Sequence, residues 1–225
     1  MKTTKGKHAL KQGVLMGLTG LLAILAVGNV NAGTYLESGD AGELSFSAQN
    51  TSNLPGLPLD AIRGNLSSSF GPDAADLYRI QLTAGTAFSA TTTASNFSFN
   101  NFDTMLFLFD QNGHGLVAND DDPSVGPQSS IFFAPTYTGL YYLGISGSGY
   151  VPVGSHGDLF AGLTTSSDQR AASADPLIGW TGTTSEGDAY EIRLTGTQTV
   201  PEPQSLLLVG LALAGAAAAS RHRRR

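Results

Sequence analysis

Thr104-Met105-Leu106-Phe107-Leu108-Phe109 is the stretch on which the fold class turns. A strand with one wet face alternates apolar and polar residues, because successive side chains point to opposite sides of the sheet. This run is apolar on both faces, which predicts a strand at the centre of a sheet. Asp103 and Asp110 bracket it. Further out, short runs of the same kind recur between clusters of Gly, Ser, Asn, Asp and Pro, and no stretch keeps a helical period beyond two turns. These runs predict strands at Glu43–Ala48, Ile62–Leu66, Asp76–Leu82, Ala87–Thr92, Leu116–Ala118, Ser130–Phe133, Gly139–Ile145 and Ala189–Leu194. In the last of them Tyr190, Ile192 and Leu194 alternate with Glu191 and Arg193, the pattern of a half-buried strand. About nine strands without regular helices make the body all-β, an antiparallel two-sheet sandwich of jelly-roll-like character.

The two ends of the central run carry the candidate chemistry. Asp110-Gln111-Asn112-Gly113-His114-Gly115 begins like a calcium loop, and Asp121 stands at its twelfth position. His114 occupies the fifth position, where an oxygen ligand belongs, and the flanks are strands rather than helices. The same residues also read as a metal-free β-hairpin turned by Asn112-Gly113. Asn119-Asp120-Asp121-Asp122 differs, because three adjacent carboxylates repel one another unless solvent or a cation relieves them. Asp120, Asp121 and Asp122, supported by Asp103 or Asp110, are the candidate ligands of a calcium ion; the plain alternative is a solvated acidic loop.

Catalysis finds little support. Apart from His8 and His222 near the chain ends, only His114 and His156 are present. Ser155-His156-Gly157-Asp158 holds the residue types of a catalytic triad, but neighbours on a chain point apart. No Gly-x-Ser-x-Gly elbow, His-Glu-x-x-His helix or phosphate-cradling glycine loop occurs. The enzymatic alternative is a secreted hydrolase using Asp120 with Asp122 as a glycosidase-like carboxylate pair. The Gly and Ser residues between 144 and 157 read as a mobile loop. Trp180, the single tryptophan, and Tyr150 both lie in Gly-rich surroundings. They are candidate aromatic platforms for a sugar or polymer; the alternative for Trp180 is a cover over one end of the core.

Asp76-Leu77-Tyr78-Arg79-Ile80-Gln81-Leu82-Thr83-Ala84-Gly85 resembles the strand and turn that open a bacterial pre-peptidase C-terminal (PPC) domain. Asp103–Asp110, Asn112-Gly113, Asn119–Asp122, Ser129-Ser130-Ile131 and Thr138–Leu143 continue that resemblance from about Ile62 to Ile145, with a final strand at Tyr190–Leu194. It implies a non-catalytic β-sandwich of the kind appended to secreted proteases and surface proteins, where such domains bind polymers or assist secretion. Between Ser146 and Gly179 a long Gly/Ser/Asp segment replaces the short connection of the family.

Both chain ends read as processing segments. Residues 1–32 form a signal peptide, with Lys2, Lys5, Lys7 and Lys11 ahead of the apolar stretch 13–27 and Val30-Asn31-Ala32 as the site for signal peptidase. At the other end, residues 200–225 read VPEPQSLLLVGLALAGAAAASRHRRR. Pro201 and Pro203 break any helix from upstream, and the stretch 205–219 is apolar all round. Fifteen helical residues rise only about 22 Å against roughly 30 Å of hydrocarbon, a short transmembrane helix. Val200-Pro201-Glu202-Pro203, this helix and the arginine end resemble a PEP-CTERM sorting signal. That resemblance implies export in a Gram-negative bacterium, transit through the inner membrane, recognition and cleavage by an exosortase, and delivery to the cell surface or extracellular matrix. A plain C-terminal anchor leaves Pro-Glu-Pro unexplained.

Residues 33–199 are thus one domain, without cysteine and with no cofactor required beyond the calcium considered above. Every lysine and half of the arginines fall in the ends; four arginines against seventeen acids leave the body near −13. Such a surface repels nucleic acid and anionic lipid and favours divalent cations. The expected role is a non-catalytic surface or matrix protein associated with exopolysaccharide.

Overall fold

The central run is β6 (Thr104–Phe109), and all six of its residues are buried. In the computed structural model, which describes residues 33–51, 57–66, 73–92, 99–123, 126–163 and 167–198, β6 lies between β7 (Gly115–Asn119) and β9 (Gly139–Gly147). The signal 1–32 and the tail 200–225 with its apolar stretch lie outside the described residues. Among the described residues no helix is long and apolar enough to cross a membrane.

The six-stranded sheet runs β12-β7-β6-β9-β4-β2, with β4 at Ala75–Leu82, β2 at Gln49–Asn50 and β12 at Gln169–Arg170. Facing it is a five-stranded sheet, β1-β3-β14-β5-β8, built from Gly33–Leu36, Leu59–Asn65, Ala189–Thr195, Phe88–Thr91 and Ser130–Phe133. Most neighbours are antiparallel, while β1 joins β3 and β2 joins β4 in parallel. A small third sheet, β11-β10-β13, comprises Gly157–Asp158, Tyr150–Gly154 and Gly179–Gly182.

Strand alternation divides β6 between two cores. Leu106 and Leu108 point into the sandwich, where they meet Ile62, Tyr78, Ile80, Phe88, Leu143 and Ile192. Met105, Phe107 and Phe109 point the other way, into a second core closed by Leu159, Phe160, Leu163, Leu177 and Trp180. Gly144 makes room there: a Cβ would stand 3.1 Å from Leu77 and 3.4 Å from the Phe109 ring. Among the described residues the two cores draw on elements from β1 to β14.

The two-sheet sandwich is as expected, and the segment after Ser146 is the main correction. Its glycines and serines lie in strands and tight turns rather than one loop; Gly144 to Gly147 end β9, Tyr150 to Val153 pair with Gly182 to Gly179, and Gly154 pairs with Gly157. The segment covers the outer face of the larger sheet, which is why both faces of β6 are apolar. A second correction concerns Glu43–Ala48, which alternates like a strand but is a turn. The amides of Ser47 and Ala48 both donate to the Leu44 carbonyl at 2.9 Å. Arg79 donates to the Ser45 carbonyl at 2.8 Å, fixing the turn beside the sheet edge that Gln49-Asn50 occupies.

Candidate functional site

Six side-chain polar atoms among the described residues are buried without a partner, and four are oxygens of Asp73, Asp76, Asp103 and Asp120. A buried carboxylate oxygen with no donor is expensive, so an orphaned one calls for an explanation. These four fall into two clusters at the same end of the larger sheet.

The first cluster lies just past the end of β1 and at the start of β4. One carboxylate oxygen of each of Asp40, Asp73 and Asp76 lies within 4.8 Å of the others. Asp76 is fully buried; one of its oxygens accepts the Tyr190 hydroxyl, which also pairs with the Tyr78 hydroxyl, and the other is the orphan. Glu37 borders the group, its carboxylate accepting the amides of Ala41 at 3.0 Å and Asn65 at 2.8 Å. Burial, and then the charges of Glu37, Asp73 and Asp40, push the Asp76 carboxyl up to about 8, against the pull of the Tyr190 bond. Sequence reasoning missed this cluster. Asp73 and Asp76 are visible ahead of a strand, but Glu37 and Asp40 reach them through β1, which no alternation announced.

The second cluster joins Asp103, Asp120 and Asp121, with the same spacing. Asp103 enters β6, and Asp120 and Asp121 leave β7, so the hairpin register brings them together. Burial first, then the charges of Asp121 and Glu186, raise Asp103 to about 6; burial and the charges of Asp103 and Asp121 raise Asp120 to about 7. Two expected ligands are elsewhere. Asp110 is at the far end of β6, roughly 20 Å away along a strand of this length. Its carboxylate takes the amides of Asn112 and His114 and the His114 ring, forming the hairpin turn. Asp122 lies outside the trio and lines a cleft with Asn119, Pro123, Phe132 and Asp168.

Ser155 and His156 do acquire a carboxylate, from Asp175 rather than Asp158. The Asp175 Oδ2 and the Ser155 Oγ both meet the same ring nitrogen, His156 Nδ1, at 2.8 and 3.0 Å. A proton relay needs the two partners on opposite ring nitrogens. Tyr150 and Trp180, by contrast, are brought together across β10 and β13, stacked with centroids 5.7 Å apart and planes at 12°. Trp180 also covers core: its edge meets Phe107 at 5.2 Å and its indole N–H donates to the Glu43 carbonyl at 2.7 Å. Tyr150 hydrogen-bonds the Glu43 carboxylate and is the outer member.

Residues 74–147, from the residue before β4 through β9, match the bacterial pre-peptidase C-terminal domain. Residues 199–225 match the PEP-CTERM protein-sorting motif. The chain carries a PPC domain and a PEP-CTERM tail. The PPC match spans the larger sheet's centre; β1, β3, β14 and the small sheet lie outside it. Among solved structures the chain is similar to the pre-peptidase C-terminal domain of collagenase from Bacillus anthracis, at 12% identity, TM-score 0.34, and coverage of 74% of this chain and 99% of that one. No curated protein matches the chain. The PEP-CTERM motif marks an exported protein sorted by exosortase to the surface of a Gram-negative cell.

Proposed function

We propose that the PPC-containing body is a non-catalytic, calcium-binding module of the cell surface or matrix. The observation that supports it is the Asp76 carboxylate, fully buried with one oxygen unpartnered beneath Asp40 and Asp73. Three carboxylates around one point suit a hard cation with oxygen ligands. An ion there fastens the β1 segment to β4. The test is thermal unfolding of residues 33–199 in chelator and then in calcium, magnesium, or sodium at matched ionic strength. Calcium at one hundred times its dissociation constant adds about 2.7 kcal/mol, or roughly 5–10 °C for a domain of this size. Asp73→Asn loses part of that rise. An equal rise in sodium, or a calcium rise untouched by Asp73→Asn, overturns the reading.

The ligand of the module is exopolysaccharide or a similar extracellular polymer, met at Tyr150. The stack on Trp180 fixes the plane of the half-buried tyrosine ring, and an aromatic face so held packs well against a sugar. Tyr150→Ala lowers retention of the body on matrix polysaccharide in affinity electrophoresis without changing its melting temperature by more than a few degrees. Retention unchanged in that variant removes Tyr150 from the binding surface.

A further inference from the structure

We propose that a second calcium ion binds between Asp103, Asp120 and Asp121 and clamps the turn that presents Tyr150. Three acidic residues in one loop are not a site by themselves; what makes one here is Asp120. Its side chain belongs to a residue only 8% exposed, faces the other two carboxylates, and leaves Oδ1 without a donor. Asp103 Oδ1 is orphaned in the same way. Among the described residues the four arginines are engaged elsewhere: Arg63 and Arg193 pair with Glu191, Arg79 reaches Ser45, and Arg170 lies over the Phe133 ring. Oxygens within 4.8 Å of one another fit around one calcium ion, whose opposed ligands stand roughly 4.6–5.2 Å apart.

The surroundings give the ion something to hold. Asp103 accepts the Ser148 amide at its carbonyl, 3.0 Å, and donates its own amide to the Glu186 carboxylate, 3.3 Å. The Ser148 hydroxyl bonds the Asp120 carboxylate. Ser148 lies in the turn from β9 to β10, two residues before Tyr150, and Glu186 lies between β13 and β14. At Gly147 the two segments touch: a Cβ there would stand 2.5 Å from the Glu186 carbonyl oxygen. Neutralising Asp103 and Asp120 therefore fixes the end of β9, the start of the small sheet and the β13–β14 connection at one point. The inference rests on the calcium reading of the body but not on the Asp76 cluster, which lies across β9, roughly 10 Å away by strand spacing.

Native mass spectrometry of residues 33–199, exchanged out of chelator into calcium, counts the ions. Two are expected, with one in Asp121→Asn, one in Asp73→Asn and none in the double variant. Asp121 is partly exposed, so its change leaves both cores intact; the Trp180 emission spectrum in chelator checks the fold. Hydrogen exchange supplies the second readout: calcium slows the Ser148 and Tyr150 amides in wild type and in Asp73→Asn, but not in Asp121→Asn. A single ion that Asp73→Asn removes overturns this site, as does an Asp121→Asn protein that keeps two. A single ion that Asp121→Asn removes supports this site and sinks the one at Asp76. No bound ion sinks both.

Discussion

Asp76 inverts the ordinary effect of pH on an acidic residue. Burial raises its carboxyl to about 8, so between pH 4 and 8 the folded body holds a proton there that the unfolded chain has released. Stability is then highest on the acid side of that window and falls as pH rises through it. In chelator the melting temperature therefore drops from pH 5 to pH 8, and Asp76→Asn reduces the drop, Asp103 and Asp120 contributing the part that remains. With calcium wild type is the more stable of the two, because the ion needs the ionised carboxylate. Differential scanning calorimetry at the two pH values, with and without calcium, measures all four cases. Wild type and variant falling in parallel in chelator would show that Asp76 is not the group responsible. The Asp76 cluster was not legible in the sequence; at the other one residue types pointed to part of the grouping, for Asp103, Asp120 and Asp121 converge, whereas Asp110 and Asp122 do not join them. Their fates depend on a turn closing on Asp110 and a chain reversal at Asp122, matters of local backbone geometry that charge patterning does not encode.

A single strand shows what alternation tells and what it withholds. The double-sided apolarity of β6 placed it at the centre of a sheet, and it is there. It gave no sign of what covers the second face, because the covering residues Leu159, Phe160, Leu163 and Leu177 are scattered through a Gly/Ser/Asp segment with no period. Short strands such as Tyr150–Gly154 and Gly179–Gly182 owe their pairing to that hidden face rather than to their own propensity. The two faces of β6 should be separable by mutation. Phe107→Ala and Leu108→Ala each remove a fully buried side chain, at about 3–5 and 2–5 kcal/mol respectively in denaturant titrations. Only Phe107→Ala shifts the folded-state emission of Trp180, the single tryptophan, whose ring it contacts. An equal shift from Leu108→Ala would mean that the two cores are one.

For the whole molecule, the route out of the cell is written in the ends and the means of staying folded in the body. Glu202→Ala keeps the tail apolar but removes the feature that separates a sorting signal from a plain anchor. In a cell with exosortase the variant should keep an intact C-terminal mass where the native chain is processed. Processing as before would restore the plain anchor. The order of the smaller sheet adds a condition on that journey. Its last strand, β14, sits in the middle, pairing with β3 on one side and β5 on the other, and Arg63 meets Glu191 across 128 residues. Until β14 arrives, β1-β3 and β5-β8 are two separate ribbons, each a pair too small to stand alone. A chain threading N-terminus first through a translocation pore therefore has no finished sandwich to jam behind it or to pull against. The smaller sheet can close only once nearly the last residues of the body have emerged, because the strand that joins its two halves is the final one.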